Sequence, residues 1–505
     1  MQEIPHRFGR HRVNRAYETS LEWFEATSSV AVAQVPWRWV GLFAALKLAV
    51  TMSVANRYGW HGDELYFVAA SRHLDLGYVD FPPVVPLIAA ADQALAPGSL
   101  VAFRLPAALA GVAVLVLTAL VARELGASRR AQAWAALAVL LSPVFLGSNA
   151  LFHTASFDQL AWVVALLVFA RLLRTGGQRL WPLVGLAVGI GLETKLTMAA
   201  VPVAMFLGLL ASSRRSMLLS PWPWTGAAVA FVVLLPNLAW MATHDWISVQ
   251  YVLSHRGHTD GPFAYWWQQV LVFFNVVFVV PAVAGLVTLH RDDRFRPLVY
   301  ASIAVLLIFF ATGGKSYYAA PIYPVLYAAA TMWLDRLLTT RLRVAAFITP
   351  SVAVGLFLAL AVLPIAPTPS GLFTDEVGWP DLAQQTASAY DSIPAGQRAN
   401  TMILAHYYQE AAAIDFYGPA LGLPNAVSPH LSYWYWAPPR MEPTTVVMIN
   451  FTLDEGNRLF ETCRQVGTVT NSQGVHNNDY GAPILVCSGP RQPLWQVWRS
   501  LQTLD

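Results

Sequence analysis

The stretch GWHGDELYFVAASRHLDLGYVDFPPVVPLI, residues 59–88, separates two long apolar runs of a 505-residue chain. It contains four acidic residues, Asp63, Glu64, Asp75 and Asp80. The whole chain is 56% hydrophobic and only 12% charged, compared with roughly 25% charged in a soluble domain. This composition is typical of an α-helical polytopic membrane protein, in which residues 59–88 form an exposed loop. The net charge of +3 gives no indication of nucleic-acid binding.

Apolar runs of membrane-spanning length recur along the first two thirds of the chain. A helix needs about 20 apolar residues to cross about 30 Å of hydrocarbon. Eleven runs meet or approach this length: 36–55, 99–122, 131–149, 156–174, 180–195, 196–211, 222–242, 265–289, 297–312, 317–335 and 343–364. The runs 180–195 and 196–211 are short and could be half-helices. We therefore predict about 11 transmembrane helices within residues 36–364.

The arginines predict how these helices are oriented. Short loops that bear several positive charges favour the cytoplasmic side. If residues 1–35 form a cytoplasmic segment, every arginine-rich short loop falls inside: Arg123, Arg129 and Arg130; Arg171, Arg174 and Arg179; Arg214 and Arg215; Arg291, Arg294 and Arg296; Arg336, Arg341 and Arg343. The first outer loop, 56–98, and the tail, 365–505, then lie outside the bacterial inner membrane.

The tail has a different, water-compatible composition. TMILA, TTVVMINF and APILVCS predict strands, and HYYQEAAAIDFYG predicts a helix that ends at Gly418. We expect a small extracytoplasmic α/β domain that recognises an acceptor or covers a groove. An oxidising compartment permits a disulfide between Cys463 and Cys487, but the sequence leaves their pairing open.

Several acids of the outer loops are candidates for a site. Asp63 and Glu64 could simply cap a helix, and Asp80 could be a turn residue before the two prolines of DFPP. Asp158 lies near the outer end of an apolar helix, where an ionisable side chain is costly and therefore indicates function. We predict that these acids form one group at the outer face.

Cations also occur in the predicted outer turns. The chain has only three lysines, and two of them, Lys195 and Lys315, map there together with Arg256 and His255. Cations on this side indicate an anion to be bound, and lipid phosphate is the obvious one at that depth. The alternative is that they neutralise ordinary partners such as Glu193, Asp245 or Asp260.

Carboxylates beside phosphate-binding cations at a membrane surface favour group transfer from a phosphorylated lipid. A carboxylate can take the proton of an acceptor hydroxyl, and cations can stabilise a departing phosphate. The same acids could hold a divalent cation that bridges the phosphate. The sequence has no HExxH motif, CxxC cluster, Walker loop or GxSxG elbow that would favour another chemistry.

A family resemblance rests on HGDELYF, LGYVDFPPVVPL, SFDQL, GLETKLT, SHRG and KSYYAAPIYPVL, in this order within residues 36–335. Together they resemble the GT-C glycosyltransferases, in the branch of the protein O-mannosyltransferases and the aminoarabinose transferase (PMT-like). The DFPP element has Asp and Phe where the aminoarabinose transferase has a Glu-Lys pair. The resemblance implies a GT-C fold and transfer, with inversion, of a monosaccharide from polyprenyl phosphate to a glycan, lipid or protein acceptor.

The resemblance also implies roles for individual residues. Asp63 would be the general base, and Glu64 would position the acceptor. Binding of the donor and its phosphate would involve seven residues: Asp80, Asp158, Lys195, Arg256, Lys315, Tyr317 and Tyr318. If a metal ion is used, Asp80, Asp158 and His255 are its candidate ligands.

Two other functions remain open from the sequence. A lipid-linked sugar flippase or transporter would also contain acids in its membrane helices, usually near mid-membrane and in repeated halves. A polysaccharide polymerase or ligase would act at the same outer face. A membrane-anchored binding module is a weaker alternative, because an anchor does not require eleven helices.

Overall fold

A computed structural model of the chain describes residues 32–255, 261–369, 371–438 and 441–504. Residues 1–31, most of the predicted N-terminal segment, lie outside this range, as do Arg256 and Asp260.

Helices form most of the molecule up to residue 362. Their bounds are α1 Trp37–Ser53, α2 Gly62–Arg72, α3 Val84–Leu95, α4 Leu100–Glu124, α5 Arg129–Leu140, α6 Pro143–Gly147, α7 Thr154–Thr175, α8 Trp181–Leu192, α9 Ala200–Leu210, α10 Pro221–Thr243, α11 Ile247–Ser254, α12 Pro262–Trp267, α13 Val279–His290, α14 Arg296–Ala311, α15 Tyr323–Leu337 and α16 Arg341–Val362. Six further helices follow: α17 Trp379–Asp391, α18 Ala395–Arg398, α19 Tyr408–Tyr417, α20 Tyr433–Trp436, α21 Leu453–Leu459 and α22 Leu494–Leu501.

The predicted class, a polytopic helical membrane protein, is confirmed, but the number of membrane spans is not. Four described helices, α4, α7, α10 and α16, are long and apolar enough to cross a membrane. Two bent pairs raise this number to six: α5 with residues 143–150, bent by 65°, and residues 262–273 with 276–290, bent by 102°. The predicted count of about 11 stays a prediction.

Small residues allow the bundle helices to pack closely. A Cβ on Gly185 of α8 would lie 1.9 Å from the carbonyl oxygen of Gly226 on α10. Close backbone contact of this kind is a main source of helix association in membranes, where apolar burial alone gives little driving force. The largest apolar core of the described residues extends through these helices, from Val40 to Leu338.

The tail contains a five-stranded sheet in the order β2-β1-β3-β5-β4. The strands are β1 Thr401–Ala405, β2 Ala426–Val427, β3 Thr445–Ile449, β4 Phe460–Thr468 and β5 Pro483–Pro490. β1 pairs in parallel with β2 and β3, whereas β5 is antiparallel to β3 and β4. The three predicted strands and the helix before Gly418 are confirmed. Cys463 and Cys487 face each other across β4 and β5 and form a disulfide.

The tail packs directly on the first loop. A single apolar core contains Leu65 and Val68 of α2 together with Ala412 and Ile414 of α19. At Gly62, the first residue of α2, a Cβ would lie 2.7 Å from Cγ of Gln409. We call this end of the bundle, where residues 56–98 meet the tail, the loop face. The predicted division of the chain at residue 365 stays a prediction.

Candidate functional site

Asp63 lies in the first turn of α2, where its carboxylate contacts the tail. The imidazole Nδ1 of His61 caps the helix by accepting a hydrogen bond from the Asp63 backbone N–H at 3.1 Å. Tyr408, on α19, donates its hydroxyl to Asp63 Oδ1 at 2.6 Å. The Asp63 side chain is half-buried. Its position therefore depends on a helix cap and on a partner 345 residues away in the chain.

Glu64, the next residue, is fully buried and engaged at both oxygens. Arg104 donates Nε to Oε1 at 2.9 Å and Nη2 to Oε2 at 2.7 Å. The backbone N–H groups of His61 and Phe152 also donate to it, at 3.0 and 2.9 Å. Arg104 in turn pairs with Glu376 from the tail at 3.2 Å. This network fixes the start of α2 and leaves Glu64 no surface for contact with an acceptor.

Asp80 lies beside Asp63. Tyr66, on α2, donates its hydroxyl to Asp80 Oδ1 at 3.0 Å, and its ring packs on that of Tyr408 with centroids 4.3 Å apart. Burial raises the pKa of the Asp80 carboxyl to about 7; the hydrogen bond from Tyr66 opposes this rise, and the Asp63 carboxylate adds to it. Tyr66 and Tyr408, whose rings are in contact, thus orient the neighbouring carboxylates of Asp80 and Asp63.

Asp158 is buried near the start of α7. It accepts hydrogen bonds from Trp162 Nε1 and Thr197 Oγ1, both at 2.9 Å. The Lys195 ammonium is close enough to act electrostatically on this carboxylate. The structure therefore brings Asp158 near Lys195, although no lysine of the described residues forms an ion pair with it. We call the part of the site around Lys195 and Lys315 the lysine side.

Lys195 lies against two tyrosines, and Lys315 is its neighbour. The ammonium of Lys195 lies 5.3 and 4.7 Å from the ring centroids of Tyr317 and Tyr318. Desolvation and the neighbouring Lys195 charge lower the pKa of Lys315, and the Asp63 carboxylate opposes this. Within the described residues, neither lysine forms an ion pair with a carboxylate. The alternative of ordinary ion pairs therefore finds no support for these two cations.

Three further side chains belong to the site, and two of them, Tyr251 and Tyr408, were not predicted. His153 caps α7 through Nδ1, and burial together with the Lys195 charge lowers its pKa to about 4, so that the ring is neutral near pH 7. Tyr251 on α11 has a raised pKa because it is buried and faces Asp80. Tyr408 belongs to HYYQE, a pattern that predicts a helix but gives no indication of a contact with the first loop.

A cavity of about 570 Å³ opens beside Asp80 and Tyr408, between the loop face and the tail. Its lining comprises His61, Gly62, Asp80, Tyr251, His255, Asp375, Trp379, Tyr407, Tyr408, Gln409, His430, Leu431, Asn450, Asn478, Asp479 and Leu504. The volume is within the range of roughly 300–1,000 Å³ that is usual for small-molecule sites. Its lining contains both polar groups and aromatic rings.

The metal hypothesis gains no geometric support. Among the described residues, no three His, Cys, Asp or Glu side chains form a group that could hold a metal ion. His255 lines the cavity, whereas Asp158 lies on the lysine side. Arg256, the third predicted cation, lies outside the residues that the structure describes.

Comparison with known proteins identifies the fold. Residues 80–240 match the family model described as dolichyl-phosphate-mannose-protein mannosyltransferase. The lipid A galacturonosyltransferase RgtD of Rhizobium johnstonii is 27% identical over 275 residues, which cover 50% of this chain and 56% of that protein. The chain thus spans little more than half the length of this curated relative.

Solved structures of one protein match most of the chain. ArnT from Cupriavidus metallidurans in the apo state matches with a TM-score of 0.61 at 16% identity, covering 90% of this chain and 99% of that one. The same protein bound to undecaprenyl phosphate matches with a TM-score of 0.58 at 18% identity, covering 90% and 100%. The resemblance inferred from the motifs is confirmed: the chain has the GT-C fold and is similar to PMT-like glycosyltransferases.

Proposed function

We propose that this protein transfers a monosaccharide from a polyprenyl-phosphate donor to an acceptor hydroxyl at the outer face of the bacterial inner membrane. The observation that carries the proposal is the position of Asp63, which is close enough to Lys315 to act on it electrostatically and accepts a hydrogen bond from Tyr408, a residue of the cavity wall. A donor phosphate fits beside Lys195 and Lys315, and an acceptor fits in the cavity.

The lysine side suits a lipid phosphate. Lys195 and Lys315 are cations without described carboxylate partners, so that their charge is available to an anion. Tyr317 and Tyr318 hold the Lys195 ammonium over their rings and restrict its orientation. As the sugar–phosphate bond breaks, negative charge grows on the phosphate, and preorganised cations stabilise it more than they stabilise the bound donor.

Asp63 serves as the general base in this proposal. Its carboxylate takes the proton of the acceptor hydroxyl while the acceptor oxygen bonds to the anomeric carbon. The bond between that carbon and the phosphate oxygen breaks, and polyprenyl phosphate leaves with the electron pair. One displacement of this kind inverts the anomeric configuration.

Other residues orient the reacting groups. Glu64 and Arg104 fix the first turn of α2, so we assign Glu64 a positioning role in place of the acceptor contact implied by the resemblance. Asp80 and Asp158 frame the site on its two sides.

The relatives support the donor class. One is named as a lipid A galacturonosyltransferase, and a structural neighbour binds undecaprenyl phosphate. These are properties of those proteins, and the sugar and acceptor of this chain are to be found by experiment.

The decisive experiment offers purified protein in lipid bilayers a panel of polyprenyl-phosphate monosaccharides, with a membrane extract as acceptor. We expect turnover of one donor, its loss in Asp63→Asn, and retained donor binding by that variant. Lys195→Ala and Lys315→Ala should instead weaken donor binding. Exposed Glu461 on β4 provides a matched control, Glu461→Gln, with normal turnover.

Two results would contradict the proposal. Undiminished turnover in Asp63→Asn would assign the base elsewhere. Movement of lipid-linked sugar between leaflets without any turnover would make the protein a flippase.

A further inference from the structure

The cavity beside Asp63 is built from both parts of the chain. Asp80 and Tyr251 form its wall near the bundle, whereas Trp379, Asn450 and Asp479 form the wall that the tail supplies. Of the sixteen lining residues, eleven lie within residues 375–504. A ligand in this cavity therefore contacts the tail more than it contacts the bundle.

The charge of this cavity is opposite to that of the lysine side. Its lining contains three carboxyl groups, those of Asp80, Asp375 and Asp479, and no lysine or arginine among the residues that the structure describes. Burial, followed by the charges of His406 and His255, lowers the pKa of His430 to about 4, so that its ring is uncharged near pH 7. A phosphate or carboxylate entering here would face three carboxyl groups and no described lysine or arginine.

Asp479 lines the tail wall, and Glu410 is buried behind it. Glu410 accepts hydrogen bonds from the backbone N–H of Tyr407 at 3.0 Å and from Asn450 Nδ2 at 2.7 Å. Burial raises the pKa of both carboxyl groups, and the Asp479 charge raises that of Glu410 further; the protonated Glu410 donates to Asp479, which opposes the rise of the Asp479 pKa. The remaining oxygens of Asp479 are therefore acceptors for a ligand.

Hydroxyl groups match such a lining. Each hydroxyl donates one hydrogen bond and accepts others, which the carboxyl, amide and phenol groups can satisfy. The flat faces of Trp379 and Tyr407 can pack against the apolar faces of a sugar ring. A cavity of about 570 Å³ is large enough for such a ligand.

We propose that the cavity is the acceptor subsite and that it selects an uncharged sugar residue, whose hydroxyl is glycosylated, over a phosphate or carboxylate acceptor. This inference rests on the proposed function and deepens it, because it names the class of acceptor. The hydroxyl proton passes to Asp63, the new bond joins acceptor oxygen to donor carbon, and polyprenyl phosphate departs on the lysine side.

The first test measures binding without turnover. Full-length Asp63→Asn protein in lipid nanodiscs is titrated with methyl glycosides of neutral hexoses and with the matching hexose 6-phosphates, and saturation-transfer NMR reports contact. We expect binding of at least one neutral glycoside and at least tenfold weaker binding of its phosphate. Binding of no neutral glycoside, or equal binding of the phosphates, would overturn the inference.

The second test assigns the binding to this cavity. In Asp479→Asn we expect the acceptor KM to rise roughly tenfold with donor binding unchanged, and Glu461→Gln should leave both unchanged. Asn478→Lys adds a cation to the lining and should improve binding of the hexose phosphates relative to the neutral glycosides. Unchanged acceptor KM in Asp479→Asn and unchanged selectivity in Asn478→Lys would place the acceptor elsewhere.

Failure of the inference can be separated from failure of the proposed function. If donor is consumed but neutral glycosides do not bind, only the acceptor assignment is wrong. If neutral glycosides bind in the cavity but no donor is ever consumed, the proposed transfer is wrong and the cavity remains a sugar-binding site.

Discussion

Tyr408 connects the tail to the proposed base. Its hydroxyl donates to Asp63 Oδ1 at 2.6 Å, and hydrogen bonds to a charged group are worth about 1.5–3 kcal/mol. Tyr408 is therefore a positioning residue that orients the Asp63 carboxylate.

Removing this hydroxyl tests that role. In Tyr408→Phe we expect kcat to fall roughly ten- to hundredfold, with the KM for the donor unchanged. The measurement is kcat and donor KM for the variant and the wild type. Tyr417→Phe, at the other end of α19, is the matched control. A rise in donor KM together with the fall in kcat would assign Tyr408 a purely structural role.

Asp80 makes the folding stability depend on pH. Its pKa is about 7 in the folded protein, because burial raises it from an ordinary value near 3.8. Between these values the unfolded chain loses the proton and the folded protein keeps it, so that stability falls as pH rises from about 4 to about 7. Above about pH 7 both states have lost the proton, so that the contribution of Asp80 to the folding stability no longer changes with pH.

Asp80→Asn should remove this dependence. We expect the thermal midpoint of the variant minus that of the wild type to be more positive at pH 8 than at pH 4.5. Unfolding of both proteins in lipid at the two pH values gives the measurement. For Glu461→Gln, an exposed carboxyl, the difference should not change with pH, and a pH-independent difference for Asp80→Asn would contradict the assignment.

Among the elements, α2 depends on a buried ionic network rather than on its own length. Arg104 from α4 is 1% exposed and contacts Glu64, Glu376 and the carbonyl oxygens of Ala55 and Gly59. An eleven-residue helix has little stability alone. The network therefore determines where α2 begins and how it is attached to the bundle and the tail.

Loss of Arg104 should be costly because it leaves two buried carboxylates unpaired. For Arg104→Met we expect destabilisation of about 3–5 kcal/mol, measured by thermal and denaturant unfolding. The triple variant that also carries Glu64→Gln and Glu376→Gln should recover part of this loss. Arg57→Met, at an exposed position, is the control. A triple variant as unstable as Arg104→Met would show that packing, not charge, dominates.

The break before α13 shows why helix counts from hydropathy are uncertain. Asn275 lies at this break and donates Nδ2 to the carbonyl oxygens of Leu141 and Ser351, at 3.4 and 3.1 Å. At the bend itself, the backbone N–H of Asn275 donates to the Tyr327 hydroxyl at 3.3 Å and that of Val277 donates to Asn275 Oδ1 at 3.2 Å, which satisfies backbone groups that a continuous helix would have paired. The sequence run 265–289 indicates apolar residues but contains no pattern that marks the 102° bend.

At the scale of the whole molecule, the contact between tail and loop face assembles the site. Gly62 leaves room for Gln409 and Trp379; a Cβ there would lie 2.7 Å from Cγ of Gln409 and 3.0 Å from Cζ2 of Trp379. Contacts this short force one partner to move. The glycine therefore permits the approach that carries Tyr408 to Asp63.

Gly62→Leu should separate the two parts without unfolding either. We expect donor binding at the lysine side to persist, transfer to fall by at least tenfold, and the tail to become more sensitive to limited proteolysis. Gly41→Leu, where a Cβ meets nothing within 4 Å, is the matched control. Normal transfer by Gly62→Leu would mean that the tail is not needed for the reaction.

The sequence by itself determined the class of the protein and indicated the residue types of its site. Its 56% hydrophobic content, arranged in long apolar runs, indicated a helical membrane fold, because a helix satisfies its backbone groups within one segment in lipid. The motifs around Asp63, Asp80 and Lys195 indicated carboxylates and cations at one face. These features are local, because composition and spacing along the chain are sufficient to recognise them.

The tertiary structure alone decided how those residues are partnered. Tyr408 reaches Asp63 across 345 residues, and Arg104 reaches Glu64 across 40, so that neither contact has a periodic pattern in the sequence. For the same reason Glu64 could not be recognised as a buried ion-pair residue. Contacts between distant segments form only when the loop and the tail pack together, since burial of their common apolar core brings these polar groups within hydrogen-bonding distance.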